Sequence, residues 1–215
     1  MVRETYLELL ESVNHDLQDL SILCCSALGK SVKYLGAWDK RSSEQLIKED
    51  ARINEAFINL QEKCFQIIAR QQPVAVDLRF LGSALTVANN LERCGDYSAD
   101  IAKTVVLMKP RIADGIDELG EMDRIAEEAM KLAVEGFTKR DLGSLETVGE
   151  LEKESDRYFG KLLDKLKKSA KACKDPELLF RTAIIGRHLE RFADRAVNIS
   201  NRTAYVVTAD SKYLK

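Results

Sequence analysis

The strongest constraint on the fold is the scarcity of residues that interrupt a helix. Only three prolines occur in 215 residues, and Pro73, Pro110 and Pro176 each fall between long stretches with apolar residues at helical spacing. Because proline inside a helix removes a hydrogen bond and clashes with the preceding turn, these positions predict helix boundaries. The intervening periodicity predicts six helices, at about residues 3–35, 40–71, 76–108, 114–138, 141–172 and 176–208. No strand-like alternation of useful length is present, so the chain is predicted to be all-α.

Aspartates near the predicted starts support three of these boundaries. Asp39 precedes the second helix, and Asp77 lies near the start of the third. Asp175 directly precedes Pro176, which would occupy the first position of the sixth helix. An aspartate before a helix accepts a hydrogen bond from a free backbone N–H, and proline suits the first helical position.

The same acidic phrase occurs twice in the chain. Residues 91–102 read LERCGDYSADIA, and residues 189–200 read LERFADRAVNIS. Each copy lies in the last helix of a run of three predicted helices. The sequence therefore predicts a duplicated three-helix unit, with residues 1–110 and 111–215 as the two repeats.

Each copy also places oxygen-bearing side chains at four-residue intervals. The two sets are Glu92, Asp96 and Asp100 in the first copy, and Glu190, Asp194 and Asn198 in the second. Four residues turn an α-helix by about 400°, so each set forms one stripe along its helix. Rows of oxygen ligands are the donors that a hard cation prefers.

The middle helix of each repeat carries an acid within an apolar seam. The seams are Leu46, Asp50, Ile53, Phe57, Leu60, Cys64, Ile67 and Leu145, Val148, Glu152, Ser155, Phe159, Leu162, Leu166. Steps alternating between four and three residues are typical of a buried helix–helix contact. Asp50 and Glu152 occupy seam positions, and Asn54 and Asp156 follow each of them by four residues. We therefore expect acidic stripes from two helices to meet in each repeat.

Carboxylates brought together in this way need positive charge, because burying an unpaired charge is costly. Arginine can supply it through three pairs at i,i+3 spacing: Arg93/Asp96, Arg187/Glu190 and Arg191/Asp194. A bound cation can supply it too, and oxygen ligands suit Mg²⁺, Ca²⁺, Mn²⁺ or iron. The residues alone leave both explanations open.

Other functional classes find little support in the sequence. The net charge of −2 gives no electrostatic footprint for nucleic acid. Neither His15 nor His188 follows a glutamate at the Glu-x-x-His spacing of di-iron bundles, and no phosphate loop, HExxH motif or nucleophile elbow is present. The N-terminus has no apolar signal core, and no stretch is apolar enough for a membrane helix. The five cysteines lack CxxC spacing. These features predict a cytoplasmic protein with reduced thiols.

Several of these motifs together resemble the PhoU family of phosphate-signalling regulators. They are DLRFL at residues 77–81, LERCGD in the first phrase, the whole second phrase, and Asp50-x-x-Ile53-Asn54 in the second helix. The resemblance covers nearly the whole chain. It implies two packed three-helix bundles related by an approximate twofold axis, often assembled as homodimers.

The resemblance also implies bound metal in both repeats, with iron, zinc, magnesium and manganese all compatible. The first site would use Asp50, Glu92, Asp96 and Asp100. The second would use Glu152, Asp156, Glu190, Asp194 and Asn198. Because Asn54 is neutral where the second repeat has Asp156, we expect the two sites to differ in affinity or in the number of ions.

By the same resemblance the function is regulatory and not enzymatic. The protein would connect a phosphate ABC transporter ATPase with a membrane sensor histidine kinase, limiting phosphate uptake and restraining the starvation response. Two alternatives remain at this point. One is a metal-dependent phosphoester hydrolase, and the other is a metal-free helical interaction module that regulates another transporter.

Overall fold

Long helices make up almost all of the computed structural model, which describes residues 2–107, 116–171 and 175–214. The elements are α1 (Val2–Ala37), α2 (Lys40–Gln71), α3 (Ala75–Leu107), α4 (Ile116–Lys139), α5 (Leu145–Ser169), α6 (Pro176–Thr208) and a 3₁₀ helix, η1 (Ser211–Leu214). No strand occurs within these ranges. The all-α prediction and its six helices are confirmed.

The predicted boundaries hold to within a few residues at most ends. Asp39 caps α2 by accepting a hydrogen bond from the Ser42 backbone N–H at 3.0 Å. Asp175 caps α6 in the same way, through Leu178 N at 3.3 Å, and Pro176 is the first residue of that helix. Pro110 lies outside the described residues.

The start of α5 is the main difference from the predicted boundaries. The helix begins at Leu145 and not near 141, because the preceding residues form a turn. Arg140 has a positive φ of 54°, and the Asp141 carboxylate accepts a hydrogen bond from Gly143 N at 3.0 Å. Aspartate competes for local backbone N–H groups in this way, and that favours a turn over an earlier helix start.

The helices form two tandem three-helix bundles that share one core. Helices α1, α2 and α3 pack against one another, as do α4, α5 and α6. The bundles meet where α3 packs along α6 and α1 packs along α4. The predicted pseudo-twofold arrangement of bundles is confirmed, whereas the repeat boundary predicted near residue 110 falls outside the described ranges.

The two apolar seams point into the core as expected. Their buried members are Leu46, Ile53, Leu60, Cys64, Ile67, Val148, Ser155, Leu162 and Leu166. Asp50 and Glu152 are only partly buried, so each acid lies where its bundle's core reaches the surface. This position lets the carboxylate face a neighbouring helix and still be approached from solvent.

Among the helices described here, none contains an apolar stretch suited to crossing a bilayer.

Cys24, Cys25, Cys64 and Cys94 are buried free thiols, which agrees with the prediction for these four residues. Burial raises the pKa of the Cys25 and Cys64 thiols to about 12. Cys173 lies outside the described residues.

Candidate metal centres

The first cluster of carboxylates lies between α2 and α3. Burial raises the pKa of Asp50 above its ordinary value, and the charges of Asp96 and Asp100 add to this effect. Burial likewise raises the pKa of Glu92, with further contributions from Asp96 and Asp50. Since such charge effects weaken with distance, the four predicted acids of the first repeat lie near one another. Asn54 donates a long hydrogen bond of 3.4 Å to Asp50.

Gly95 allows α2 and α3 to approach closely at this cluster. A Cβ atom at position 95 would lie 2.9 Å from Ile53 Cγ2 and 3.2 Å from Asp50 Oδ1. A larger residue at this position would therefore displace the Ile53 and Asp50 side chains of α2. The glycine within LERCGD thus has a structural role that its motif alone did not reveal.

Two cations partly neutralise the first cluster. Arg93 pairs with Asp96 at 3.0 Å and with Glu92 at 3.6 Å. Lys103 pairs with Asp100 at 2.8 Å. Asp50 forms no ion pair within the described part of the chain, and its buried Oδ1 lacks a hydrogen-bond partner there, as does Glu92 Oε2.

The second cluster lies between α5 and α6 and has the same design. Burial raises the pKa of Glu152, and the charges of Asp156 and Asp194 raise it further. Burial also raises the pKa of Glu190, which the positive charge of Arg187 opposes. The four predicted acids therefore come together here too. Asn198, the fifth predicted ligand, makes no hydrogen bond to these acids in the described structure.

Arginine accounts for only part of the neutralisation proposed from the sequence. The Arg93/Asp96 pair forms, and Arg187 contacts Glu190 at 2.6 Å. The third predicted pair was wrong, because Arg191 lies over the Tyr97 ring, 5.3 Å from its centroid. Asp194 instead faces Arg195 at 3.8 Å. The second cluster therefore has four acids and two ion-paired arginines, one of them distant.

Both clusters suit a hard cation by their chemistry, since their side-chain donors are oxygens and two helices contribute in each. The unpartnered buried Oδ1 of Asp50 points to a missing positive partner in the first cluster. Within the described residues, however, no three Asp, Glu, His or Cys side chains are already arranged as ligands of one ion.

Sequence reasoning missed two further polar features. One lies between α3 and α6, where His188 approaches the Tyr97 ring with centroids 5.7 Å apart. The other is Asp123 on α4, whose pKa burial raises to about 7. Asp123 follows Leu119 by four residues within an apolar seam, as Asp50 follows Leu46, so the same signal was present. The residues between α3 and α6 carry no such signal, because they come from different repeats.

Comparison with known proteins identifies similar sequences and folds. A family model described as the PhoU domain matches residues 17–105 and 119–203. A phosphate-specific transport system accessory protein PhoU homolog of Methanothermobacter thermautotrophicus is 27% identical over 206 residues, which covers 94% of this chain and 93% of the relative. A homolog of the same description from Streptococcus pneumoniae is 28% identical over 207 residues, covering 94% of each.

Two solved structures have folds similar to that of this chain. The crystal structure of the phosphate transport system regulatory protein PhoU from Streptococcus pneumoniae superposes with a TM-score of 0.88 at 25% identity. It covers 95% of this chain and 98% of that one. PhoU from Pseudomonas aeruginosa gives a TM-score of 0.86 at 26% identity, covering 95% of this chain and all of the other.

Proposed function

The chain belongs to the PhoU family, and on this premise we propose that it is a metal-binding, cytoplasmic regulator that limits phosphate uptake. Its partners would be the ATPase of a phosphate ABC transporter and the sensor histidine kinase of the starvation response. It would act without catalysing a reaction, as a helical scaffold whose two clusters hold cations. Family relatives described as accessory proteins of phosphate-specific transport support the regulatory role.

The observation that carries the metal assignment is the convergence of carboxylates from two helices in each repeat. Asp50, Glu92, Asp96 and Asp100 would hold metal in the first repeat. The second would use Glu152, Asp156, Glu190 and Asp194, with Asn198 as the fifth predicted ligand. Magnesium, manganese, iron and zinc all accept carboxylate oxygen, so these donors do not select among them.

A bound cation would supply positive charge at the point where two helices of a bundle meet. The protein's own contribution is to hold like charges close together without fully neutralising them. Burial and mutual repulsion raise the pKa values of Asp50, Glu92, Glu152 and Glu190. The carboxylates of each cluster therefore repel one another, and metal binding would tighten the contacts of α2 with α3 and of α5 with α6.

Neutralising the second cluster is expected to abolish its metal binding without unfolding the protein. We predict that Glu152→Gln combined with Glu190→Gln removes the metal held by the second repeat and leaves that of the first. Burial and the neighbouring acids both raise the pKa values of Glu152 and Glu190. Removing the two charges relieves these unfavourable effects, so the metal-free variant stays folded. Elemental analysis and calorimetric titration of chelator-treated protein with Mn²⁺ measure how much metal the variant and the wild-type protein bind.

Glu150→Gln is the matched control, because Glu150 is exposed on the same helix outside the seam. It should bind metal as the wild-type protein does. If the double variant keeps full metal stoichiometry, the second cluster is not the site. If the wild-type protein takes up no metal at all, the clusters are neutralised by arginine and the metal-free interaction module becomes the better description.

The regulatory role predicts that loss of the protein raises phosphate uptake when phosphate is abundant. Deleting the gene in its host should increase uptake of radiolabelled phosphate, and the wild-type copy should restore the limit. The proposed role as a scaffold also predicts that the tagged protein retains the transporter ATPase or the sensor kinase from phosphate-replete cells. Unchanged uptake together with recovery of neither partner would contradict this role.

The catalytic alternative makes a separate prediction. A phosphoester hydrolase would turn over at least one compound in a substrate panel, and the Glu152→Gln/Glu190→Gln variant would lose that activity. We expect no turnover above the level of the variant for any metal tested.

A further inference from the structure

A polar groove of about 490 Å³ runs between α3 and α6, where the two repeats meet. We call it the inter-repeat groove. It is lined by Asn89, Tyr97, His188, Arg191 and Arg195, together with Arg93 and the acids Asp96 and Asp100 of the first carboxylate cluster. We propose that the inter-repeat groove binds a phosphate oxyanion, either inorganic phosphate or the phosphoryl group of a small metabolite. This goes beyond the proposed function, because it requires neither the metal nor a protein partner.

Arg195 provides the first argument, because its guanidinium is partly buried without a good acceptor. The side chain is 25% exposed, and its Nε is buried with no hydrogen-bond partner in the described structure. The other nitrogens make only distant contacts, at 3.4 Å to Asn90 Oδ1 and 3.8 Å to Asp194. A guanidinium removed from water normally has close acceptors, so an anion is the partner that this geometry lacks.

Arg191 provides a second cation with free donors. Its guanidinium lies over the Tyr97 ring, and no carboxylate pairs with it among the described residues. Stacking on an aromatic ring occupies the face of a guanidinium and leaves its N–H edges available. Arg191 and Arg195 lie one helical turn apart on α6, so their donors can converge on one ligand.

Two further donors complete the set around these arginines. His188 Nδ1 is buried without a hydrogen-bond partner in the described structure. An imidazole carries at least one N–H, so His188 brings a hydrogen-bond donor to the groove. The Asn89 amide also lines the groove. Arginine forks combined with single N–H donors match the oxygens of a tetrahedral phosphate.

The acids at the groove do not cancel this positive charge. Asp96 is paired with Arg93 at 3.0 Å, and Asp100 is paired with Lys103 at 2.8 Å. Each of these two carboxylates therefore has its own cation. Arg191 and Arg195 are left to face a ligand, Arg195 with only its distant contact to Asp194. A carboxylate still has spare acceptor sites when paired, so Asp96 and Asp100 can accept a hydrogen bond from a P–OH group. Sulfate has no such proton at neutral pH, and we expect phosphate to bind more tightly than sulfate.

The test is calorimetric titration of chelator-treated protein with sodium phosphate at constant ionic strength. Removal of metal matters, since a cation in the carboxylate clusters could itself hold phosphate. Saturable binding is expected for the wild-type protein, and Arg191→Gln should weaken it by roughly ten-fold or more, the usual effect of losing a charge-assisted hydrogen bond. Arg191 is exposed, so this variant should fold normally. Arg195→Gln is the second variant and should have an effect of similar size.

Arg181→Gln is the matched control. Arg181 lies on the same helix and pairs with Glu177 at 2.7 Å, so the variant changes the net charge equally without touching the groove. Unchanged affinity in this variant supports the site. Equal weakening in all three variants, absence of saturable binding, or equal affinity for sulfate and phosphate would overturn the proposal.

Titration with ADP in the absence of metal separates the two sources of the phosphoryl group. Tighter binding of ADP than of inorganic phosphate, lost in Arg191→Gln, would assign the groove to a phosphorylated metabolite. Tighter binding of inorganic phosphate would assign it to the free ion. Either result with loss in the variant supports an oxyanion site.

Discussion

Replacing Gly186 with alanine is expected to lower the free energy of unfolding by about 1–3 kcal/mol, the usual cost of overpacking a core. Gly186 lies on α6 directly against α5. A Cβ atom there would overlap Leu162 Cδ2 and lie 3.1 Å from Phe159 Cδ2. Leu162 is completely buried, so its terminal methyl groups have little free volume into which to turn. The helices would have to separate, at the interface that carries the second carboxylate cluster.

Urea denaturation measures this loss, and Gly160→Ala on α5 is the control. A Cβ atom at position 160 would meet nothing within 4 Å. Alanine there should raise stability by up to about 1 kcal/mol, since it is the better helix former. Gly186→Val should be less stable than Gly186→Ala. If Gly186→Ala is as stable as Gly160→Ala, the close approach of α5 and α6 is not as described.

Replacing Asp123 with asparagine is expected to stabilise the protein by about 1–3 kcal/mol near pH 8, as relief of a buried charge. Asp123 lies on α4 at the contact with α1, and its buried Oδ1 has no hydrogen-bond partner in the described structure. Burial, assisted by the charge of Glu127 and opposed by Lys131, raises its pKa from 3.8 to about 7. The carboxylate is therefore poorly solvated whenever it is ionised. Asparagine has nearly the same shape and no charge.

The pH dependence of this effect has a defined sign. The folded protein holds the Asp123 proton more tightly than the unfolded chain does, so the protonated acid favours folding. That contribution is fully present below the unfolded pKa of 3.8 and is lost as the pH rises through about 7. A pKa difference of this size corresponds to about 4 kcal/mol as an upper limit. The advantage of the asparagine variant should therefore grow between about pH 4 and pH 7 and then level off.

Paired urea titrations across this pH range test the prediction. Asp19→Asn is the control, because Asp19 is exposed on α1 and removal of its charge should change stability little at any pH. A constant difference between Asp123→Asn and the wild-type protein from acid to alkaline pH would contradict the assignment. Asp123 lies at the α1–α4 contact, which joins the two repeats. Its ionisation therefore also affects how firmly the repeats are held together.

The carboxylate clusters show how far one sequence can predict a site. Asp50 and Glu152 could be identified because they interrupt apolar seams, and the cost of burying a charge implies a compensating partner. Their meeting with the acids of α3 and α6 followed from the repeat. The arginine pairs were less predictable: spacing permits a pair between Arg191 and Asp194, but it does not decide between an acid on the same helix and an aromatic ring on another.

The sequence by itself determined the helices, the duplication and the acids of each cluster. These features depend on local periodicity and on contacts within one three-helix unit, where spacing along the chain fixes which side chains share a face. Only the tertiary structure decided what lies between the two units. The inter-repeat groove, the stacking of Arg191 on Tyr97 and the burial of Asp123 all depend on how α3 meets α6 and how α1 meets α4. Those helix pairs are distant in sequence, and their facing residues are set by packing the repeats together, which no pattern within one helix specifies.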